Sequence, residues 1–197
     1  MSQSEEIKKE DLRVRRTYKL LSQALMSLLM EKSFEEIFVT DICERAMVHR
    51  TTFYKHFEDK FHLLDFCVKE LVFTFEKDNG MLKTAATTKD YYMGLIRESL
   101  EYIMANKKLF LTGLLRSSNV FPMLQRSICQ LIESKLTENE KLGIHHTIPC
   151  AIISQFYSGA LLTAATWWLE NDTPISIDEM VHDISLLINE TGYVVKE

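Results

Sequence analysis

Residues 37–60, IFVTDICERAMVHRTTFYKHFEDK, read as two short helices joined by a tight turn and followed by an aromatic and basic cluster. Ile42 and Ala46 place apolar groups on one face at i, i+4, and Val48, Phe53 and Phe57 carry the buried side across the turn. Opposite that face lie His49, Arg50, Thr51, Thr52, Tyr54, Lys55 and His56, with Lys60 close behind. Hydroxyls, a guanidinium, imidazoles and ammonium groups in so short a span suit phosphate oxygens and base edges. The stretch reads as a device for reading DNA.

The rest of the composition fits an all-α protein. The chain has 197 residues, of which 46% are hydrophobic, enough for one sizeable domain or a small one beside a larger one. Glycine (6) and proline (3) are scarce, whereas all-β folds need many tight turns. No run of about 18 uncharged apolar residues occurs, and the N-terminus MSQSEEIKKEDLRVRR lacks the apolar core of a signal peptide. The protein is therefore expected in the cytoplasm, where the widely spaced Cys43, Cys67, Cys129 and Cys150 read as buried thiols. Residues 1–60 carry 11 Lys and Arg against 11 Asp and Glu, so the whole net charge of −5 lies beyond residue 60. Affinity for nucleic acid would then rest on a few positioned contacts rather than on a broad positive field.

Periodicity sets out the remaining elements. Residues 1–10 are polar and charged and read as a disordered tail, followed by a first helix over 12–31 with Leu20, Ala24 and Leu28 beside Leu21, Leu25 and Leu29 as its apolar stripe. Arg13, Arg15, Arg16 and Lys19 crowd its N-terminal end, where a solvated helix end and a phosphate contact remain alternatives. Short helices over 39–46 and 50–56 precede a linking helix over 59–78 that opens on Asp59 as cap. The stretch NGMLKTAATT at 79–88 interrupts the pattern and marks a boundary. Beyond it follow an amphipathic helix over 91–106, a shorter apolar piece over 107–115, a turn at SSNVFP, a helix over 121–138 and a polar connection, ENEKLGIHHTIP. Helices over 149–171 and 176–190 close the chain. The division expected is thus 1–10, a DNA-reading head over 11–58, and a larger helical region over 59–197.

The helix over 149–171 spreads Ala151, Ile152, Phe156, Gly159, Ala160, Thr163, Ala164, Trp167 and Trp168 widely around its axis, too widely for one buried face. It needs a partner on both sides, with small residues allowing close approach and the tryptophans supplying contact area. After it, Pro174 cannot continue a helix, and Ser176 with Glu179 three residues on forms a capping box.

The 37–60 stretch resembles the helix-turn-helix of the tetracycline-repressor (TetR/AcrR) family of bacterial transcription regulators, T-x-x-x-I-x-x-x-A-G-V-S-x-x-T-F-Y-x-H-F-x-x-K. Ile42, Ala46, Val48, Thr52, Phe53, Tyr54, His56, Phe57 and Lys60 match in register. Three positions depart: Met47 stands where the family has a small residue, usually Gly; His49 where it has Ser; and Phe38 where Thr or Ser caps the second helix. A positive φ at Met47 carries a steric cost, and His49 is a poorer cap than Ser. Thr40 is a candidate for the missing cap or for a backbone contact. The stretch Y-x-G-A-L-x-x-x-x-x-W-W-L-E-N-D-x-P-I-S-x-x-E-M at 157–180 also resembles the C-terminal domain of one branch of that family, whose last two long helices pair in a dimer.

The resemblance implies an N-terminal three-helix head, a fourth helix linking it to a C-terminal ligand-binding and dimerisation domain, and a homodimer on a palindromic operator. It assigns Arg50, Thr51 and Thr52 to bases, and Arg16, Thr40, His49, Tyr54, Lys55, His56 and Lys60 to phosphates. Gly159, Ala160, Thr163, Trp167, Trp168, Met180, Ile184 and Leu187 would form the dimer interface. A small-molecule effector would sit among Tyr92, Leu95, Phe110, Leu114, Phe121, Met123, Phe156 and Tyr157, each of which also reads as plain core. The family includes activators and co-regulator-dependent members, so repression is a family expectation. No cofactor or metal is implied. An enzyme is disfavoured by the lack of a Gly-rich phosphate loop, a nucleophile elbow or a metal-spaced cluster. His145, His146 and Cys150 would make a poor metal site without a further partner. A helical adaptor is the other rival; it would keep its partner when Arg50 and Tyr54 are mutated.

Overall fold

The computed structural model describes residues 3–78, 88–115, 117–188 and 193–195. The described residues are helical apart from short turns and a small ribbon. In chain order it runs α1 (Gln3–Leu29), a 3-10 turn (Phe34–Glu36), α2 (Val39–Ala46), α3 (Arg50–His56), α4 (Lys60–Asp78), α5 (Thr88–Ala105), a π-helical turn (Leu109–Leu114) and α6 (Val120–Lys141). Then follow β1 (Ile144–His146), α7 (Cys150–Glu170), α8 (Ile177–Leu187) and β2 (Tyr193–Val195). The strands are antiparallel with His145 opposite Val194.

Most of the chain beyond 79–88 follows its periodicity; that stretch, apart from Thr88, lies outside the described residues. Two differences concern helix ends. α1 begins at Gln3, not near residue 12, so the 1–10 tail is largely helical. Glu5 stands three residues before Lys8 and four before Lys9, and Glu6 three before Lys9, a spacing that supports a helix. α6 extends to Lys141 before Gly143, at φ +89°, ends it. The connection expected over 138–149 is therefore partly helix and partly strand.

The chain divides into two compact units, Met1–Cys67 with Lys108–Val120, and Val68–Lys107 with Phe121–Glu197. This differs from a break at residue 58. Residues 108–120 belong with the reading head because Gly113 lies against the main chain of Leu29 and because the Glu35 carboxylate accepts from Ser117 Oγ (3.2 Å) and Ser118 N–H (3.1 Å). In this first unit Leu21, Leu25, Leu29, Phe34, Ile37, Ile42, Phe53, Leu63 and Leu64 are fully buried. Tyr18 packs edge-on to Phe66 and, tilted, against Phe57, with ring centroids 5.0 and 5.2 Å away.

In the second unit, Leu100, Leu124, Leu136, Trp168, Leu169, Met180 and Ile184 are buried. Trp168 Nε1 donates to the Ile175 carbonyl at 2.8 Å, which pins the turn after α7. That turn places Asp172 and Thr173 at φ 60° and 54°. The Ser176–Glu179 box forms as expected: Glu179 accepts from Ser176 N–H at 2.8 Å and its own N–H donates to Ser176 Oγ at 3.2 Å. On α8, Arg97 of α5 reaches Asp178 at 2.6 Å.

Candidate nucleic-acid interface

α2 and α3 form where the apolar spacing placed them, but their caps are unusual. Phe38 occupies the N-cap of α2, and its N–H is held by Asp41 Oδ2 at 3.0 Å. This is half of a capping box, with the side-chain acceptor supplied from inside the helix. Asp41 also pairs with Lys32 at 2.6 Å. The Lys32 ammonium, then the Phe38 N–H, hold its carboxyl below the ordinary range. With Phe38 capped in this way, Thr40 lies inside the first turn and is not the cap. Arg45 closes the other end of α2 by donating through Nη1 and Nη2 to the two Glu31 oxygens, both at 2.8 Å.

Met47 makes the turn in the left-handed region, at φ 52° and ψ 41°, with its side chain exposed. There it lets the Val48 N–H return to the Cys43 carbonyl at 2.9 Å. His49 caps α3: Nδ1 accepts weakly from Thr51 N–H at 3.4 Å and lies 2.8 Å from Thr51 Oγ1.

Along α3, Phe53 is fully buried while Arg50, Thr51, Tyr54 and Lys55 are exposed and Thr52 is half-buried. Tyr54 stands edge-on to Phe53, 5.4 Å between centroids, with its outer side free to solvent. Arg16 is exposed on α1. The helix therefore presents one guanidinium, a hydroxyl, a phenol and an ammonium on a single outward face.

Two residues expected at phosphates are placed otherwise. Lys60 Nζ is turned inward and donates to the carbonyls of Phe34, Glu35 and Ile37 at 2.7, 3.2 and 2.7 Å. Burial pulls its ammonium below the usual lysine range. His56 is half-buried and meets Tyr18 edge-on at 5.1 Å. The spacing that puts His56 at the end of the reading helix and Lys60 just after it does not reveal that the Lys60 ammonium turns inward.

The dimer residues also separate. Trp168, Met180 and Ile184 are buried within the unit, so they are core rather than interface. Gly159 is half-buried, and Ala160, Thr163, Trp167 and Leu187 are exposed. Phe156, expected at an interior pocket, is exposed as well and lines an open apolar groove with Gly159, Ala160, Thr163, Ala164 and Trp167. Exposed Ile152 continues the same stripe at helical spacing, a residue the sequence left among the general apolar positions. The other pocket residues are not all in one unit. Tyr92, Leu95, Phe121, Met123 and Tyr157 are half-buried in the second, whereas Phe110 and Leu114 belong to the π-helical turn of the first. Among the described residues no three His, Cys, Asp or Glu side chains gather as metal ligands, and no helix is long and apolar enough to cross a membrane.

Residues 76–190 match the family model of the transcriptional regulator C-terminal region, TetR_C_8. The chain belongs to the TetR family of transcriptional regulators. No curated protein sequence matches this TetR-family chain. Its fold is similar to that of a TetR transcriptional regulator from Streptococcus agalactiae, with 21% identity, coverage of 93% of this chain and 99% of the other, and a TM-score of 0.60. The regulator FadR from Bacillus subtilis in complex with stearoyl-CoA is similar at 22% identity, 86% and 96% coverage and a TM-score of 0.59. The dihydroxyacetone kinase operon activator DhaS follows at 16% identity, 90% and 98% coverage and a TM-score of 0.55.

Proposed function

We propose that this regulator works as a homodimer that binds a palindromic DNA operator sequence-specifically and, as a repressor, is released from it by a small molecule. The outward face of α3 carries the reading: Arg50, Thr51, Tyr54 and Lys55 are exposed on a helix whose opposite residue, Phe53, is fixed in the core. Arg50, with Thr51 and Thr52, would read base edges; Tyr54, Lys55 and Arg16 would hold phosphates. The exposed stripe of α7, Ile152, Phe156, Ala160, Thr163 and Trp167, supports a second copy as the partner that covers it. Two heads related by a two-fold axis would enter major grooves about 34–36 Å apart.

The stearoyl-CoA held by the similar FadR supports a small-molecule trigger, for which the half-buried Tyr92, Leu95, Phe121, Met123 and Tyr157 are the residues we assign. Activation is the second reading, favoured by the similarity to an operon activator.

Fluorescence anisotropy on the DNA upstream of the protein's own gene, against scrambled DNA at near-physiological salt, tests the proposal. Specific recognition is expected to be tighter by roughly a thousand-fold or more. Arg50→Ala should cost about 1–3 kcal/mol on the operator alone, and Lys55→Ala should weaken both DNAs and lower the salt slope by about 1. Equal, weak and steeply salt-dependent binding to both DNAs would favour the adaptor instead.

A further inference from the structure

Lys60 opens α4, yet its ammonium points back into the first unit. Three donors meet three acceptors, the carbonyls of Phe34, Glu35 and Ile37, so the hydrogen-bonding capacity of the group is filled. The same nitrogen stands 4.7 Å from the centre of the Phe34 ring and 5.8 Å from that of Phe61, adding the attraction of a cation for aromatic rings. Those carbonyls close the 3-10 turn: the Phe34 oxygen also accepts from the Ile37 N–H at 3.3 Å, and Lys60 adds a donor to it and to the oxygens that follow.

The turn that Lys60 grips is the entrance to the helix-turn-helix. Ile37 directly precedes Phe38, the N-cap of α2, and Phe38 is held by Asp41, which is held by Lys32. A phosphate contact would require the ammonium to leave three carbonyls, two of them bonded in part-buried positions, and unmade bonds of that kind are costly.

We propose that Lys60 is a positioning residue for DNA recognition, fixing the start of α4 to the 34–37 turn and so setting the orientation of α2 and α3, and that it does not contact a phosphate. The proposal rests on the reading of DNA by α3 given above. Orientation decides which base edges α3 can reach, whereas bulk attraction to the duplex depends on how many phosphates are neutralised. Loss of the clamp therefore falls on specific binding and spares non-specific binding.

The test uses the full-length protein with Lys60→Met, which keeps an unbranched stem against Phe34 and Phe61, and Lys60→Arg, which keeps the charge. Wild-type protein first enriches a duplex from a random pool. Anisotropy on that duplex and on a scramble at several salt concentrations is then combined with hydrogen exchange at the Phe38 and Ile42 amides. Lys60→Met is expected to weaken the enriched duplex roughly five- to thirty-fold, to leave the scramble and the salt slope unchanged, and to speed exchange at both amides. Lys60→Arg, still able to donate to carbonyls, should recover part of the specific affinity. Equal losses on both DNAs, with a slope shallower by about 0.9 and unchanged exchange, would mark a phosphate contact and overturn the proposal. So would a Lys60→Met protein that matches the wild type on the enriched duplex. A wild type that enriches no sequence removes the DNA reading itself, and this proposal with it.

Discussion

Gly113 of the π-helical turn lies directly on the main chain of Leu29: a β-carbon at 113 would stand 2.5 Å from the Leu29 carbonyl oxygen and 2.8 Å from its Cβ and Cδ2. The nearest atom is backbone in the last turn of α1, which cannot swing aside as a long side chain does. Gly113→Ala is therefore expected to destabilise the first unit by about 1–3 kcal/mol, read as a lower urea midpoint with an unchanged m-value. An unaltered midpoint would mean that the turn rides freely on α1.

Met47 should respond in the opposite direction. Its side chain is 91% exposed and makes no core contact to lose, while its left-handed backbone carries a penalty of about 1–2 kcal/mol for a residue with a β-carbon. Met47→Gly is expected to raise stability by about 1 kcal/mol, after the added chain entropy of glycine in the unfolded state is set against the relief. Thermal melting checks this, and a fall in Tm would show that the turn is not strained.

Asp41 gives acid sensitivity a definite sign. The Lys32 ammonium and the Phe38 N–H both favour its carboxylate, so its folded pKa lies below the unfolded value of about 3.9. Its contribution is complete above that value and is lost as pH falls through the lower folded pKa. Glu179, favoured by the Ser176 N–H and hydroxyl, acts in the same sense. Asp41→Asn should thus lower Tm at pH 7 and approach the wild type as pH falls through the lowered folded pKa. A gap that stays constant with pH would show that its charge is not what matters.

The neighbouring tryptophans should behave as different kinds of residue. Trp167→Glu places a charge on the exposed stripe and is expected to give a folded monomer by light scattering with unchanged helical circular dichroism. Trp168→Ala, at a site of no exposure and with the loss of the bond to Ile175, is expected to cost about 3–5 kcal/mol of stability. A Trp167→Glu protein that still elutes as a dimer would direct the interface away from α7.

The adjacent tryptophans also show what periodicity conveys. Helical spacing identified α7 as apolar on more than one side, and successive residues on a helix point about 100° apart. It did not say which of the two faces the chain itself would cover. That depended on where the turn at 172–175 folded back, through the bond from Trp168 to Ile175 and left-handed residues at Asp172 and Thr173 that no glycine announced. Phe156 was misplaced for the same reason, since an aromatic in a helix carries no mark of inside or outside.

By itself the sequence determined the helical class, α2 and α3 at their residues, the capping box at Ser176, and the outward set Arg50, Thr51, Tyr54 and Lys55 opposite Phe53. These are short-range properties: they follow from spacings of two to four residues, within which the geometry of a helix is fixed. Tertiary structure decided the rest. It turned Lys60 onto carbonyls more than twenty residues earlier, brought Lys32 to Asp41, joined residues 108–120 to the reading head, and divided the α7 residues between core and groove. Each of these depends on a partner brought near only by the fold, and a lysine in sequence is the same lysine whether its ammonium meets a phosphate or a peptide oxygen.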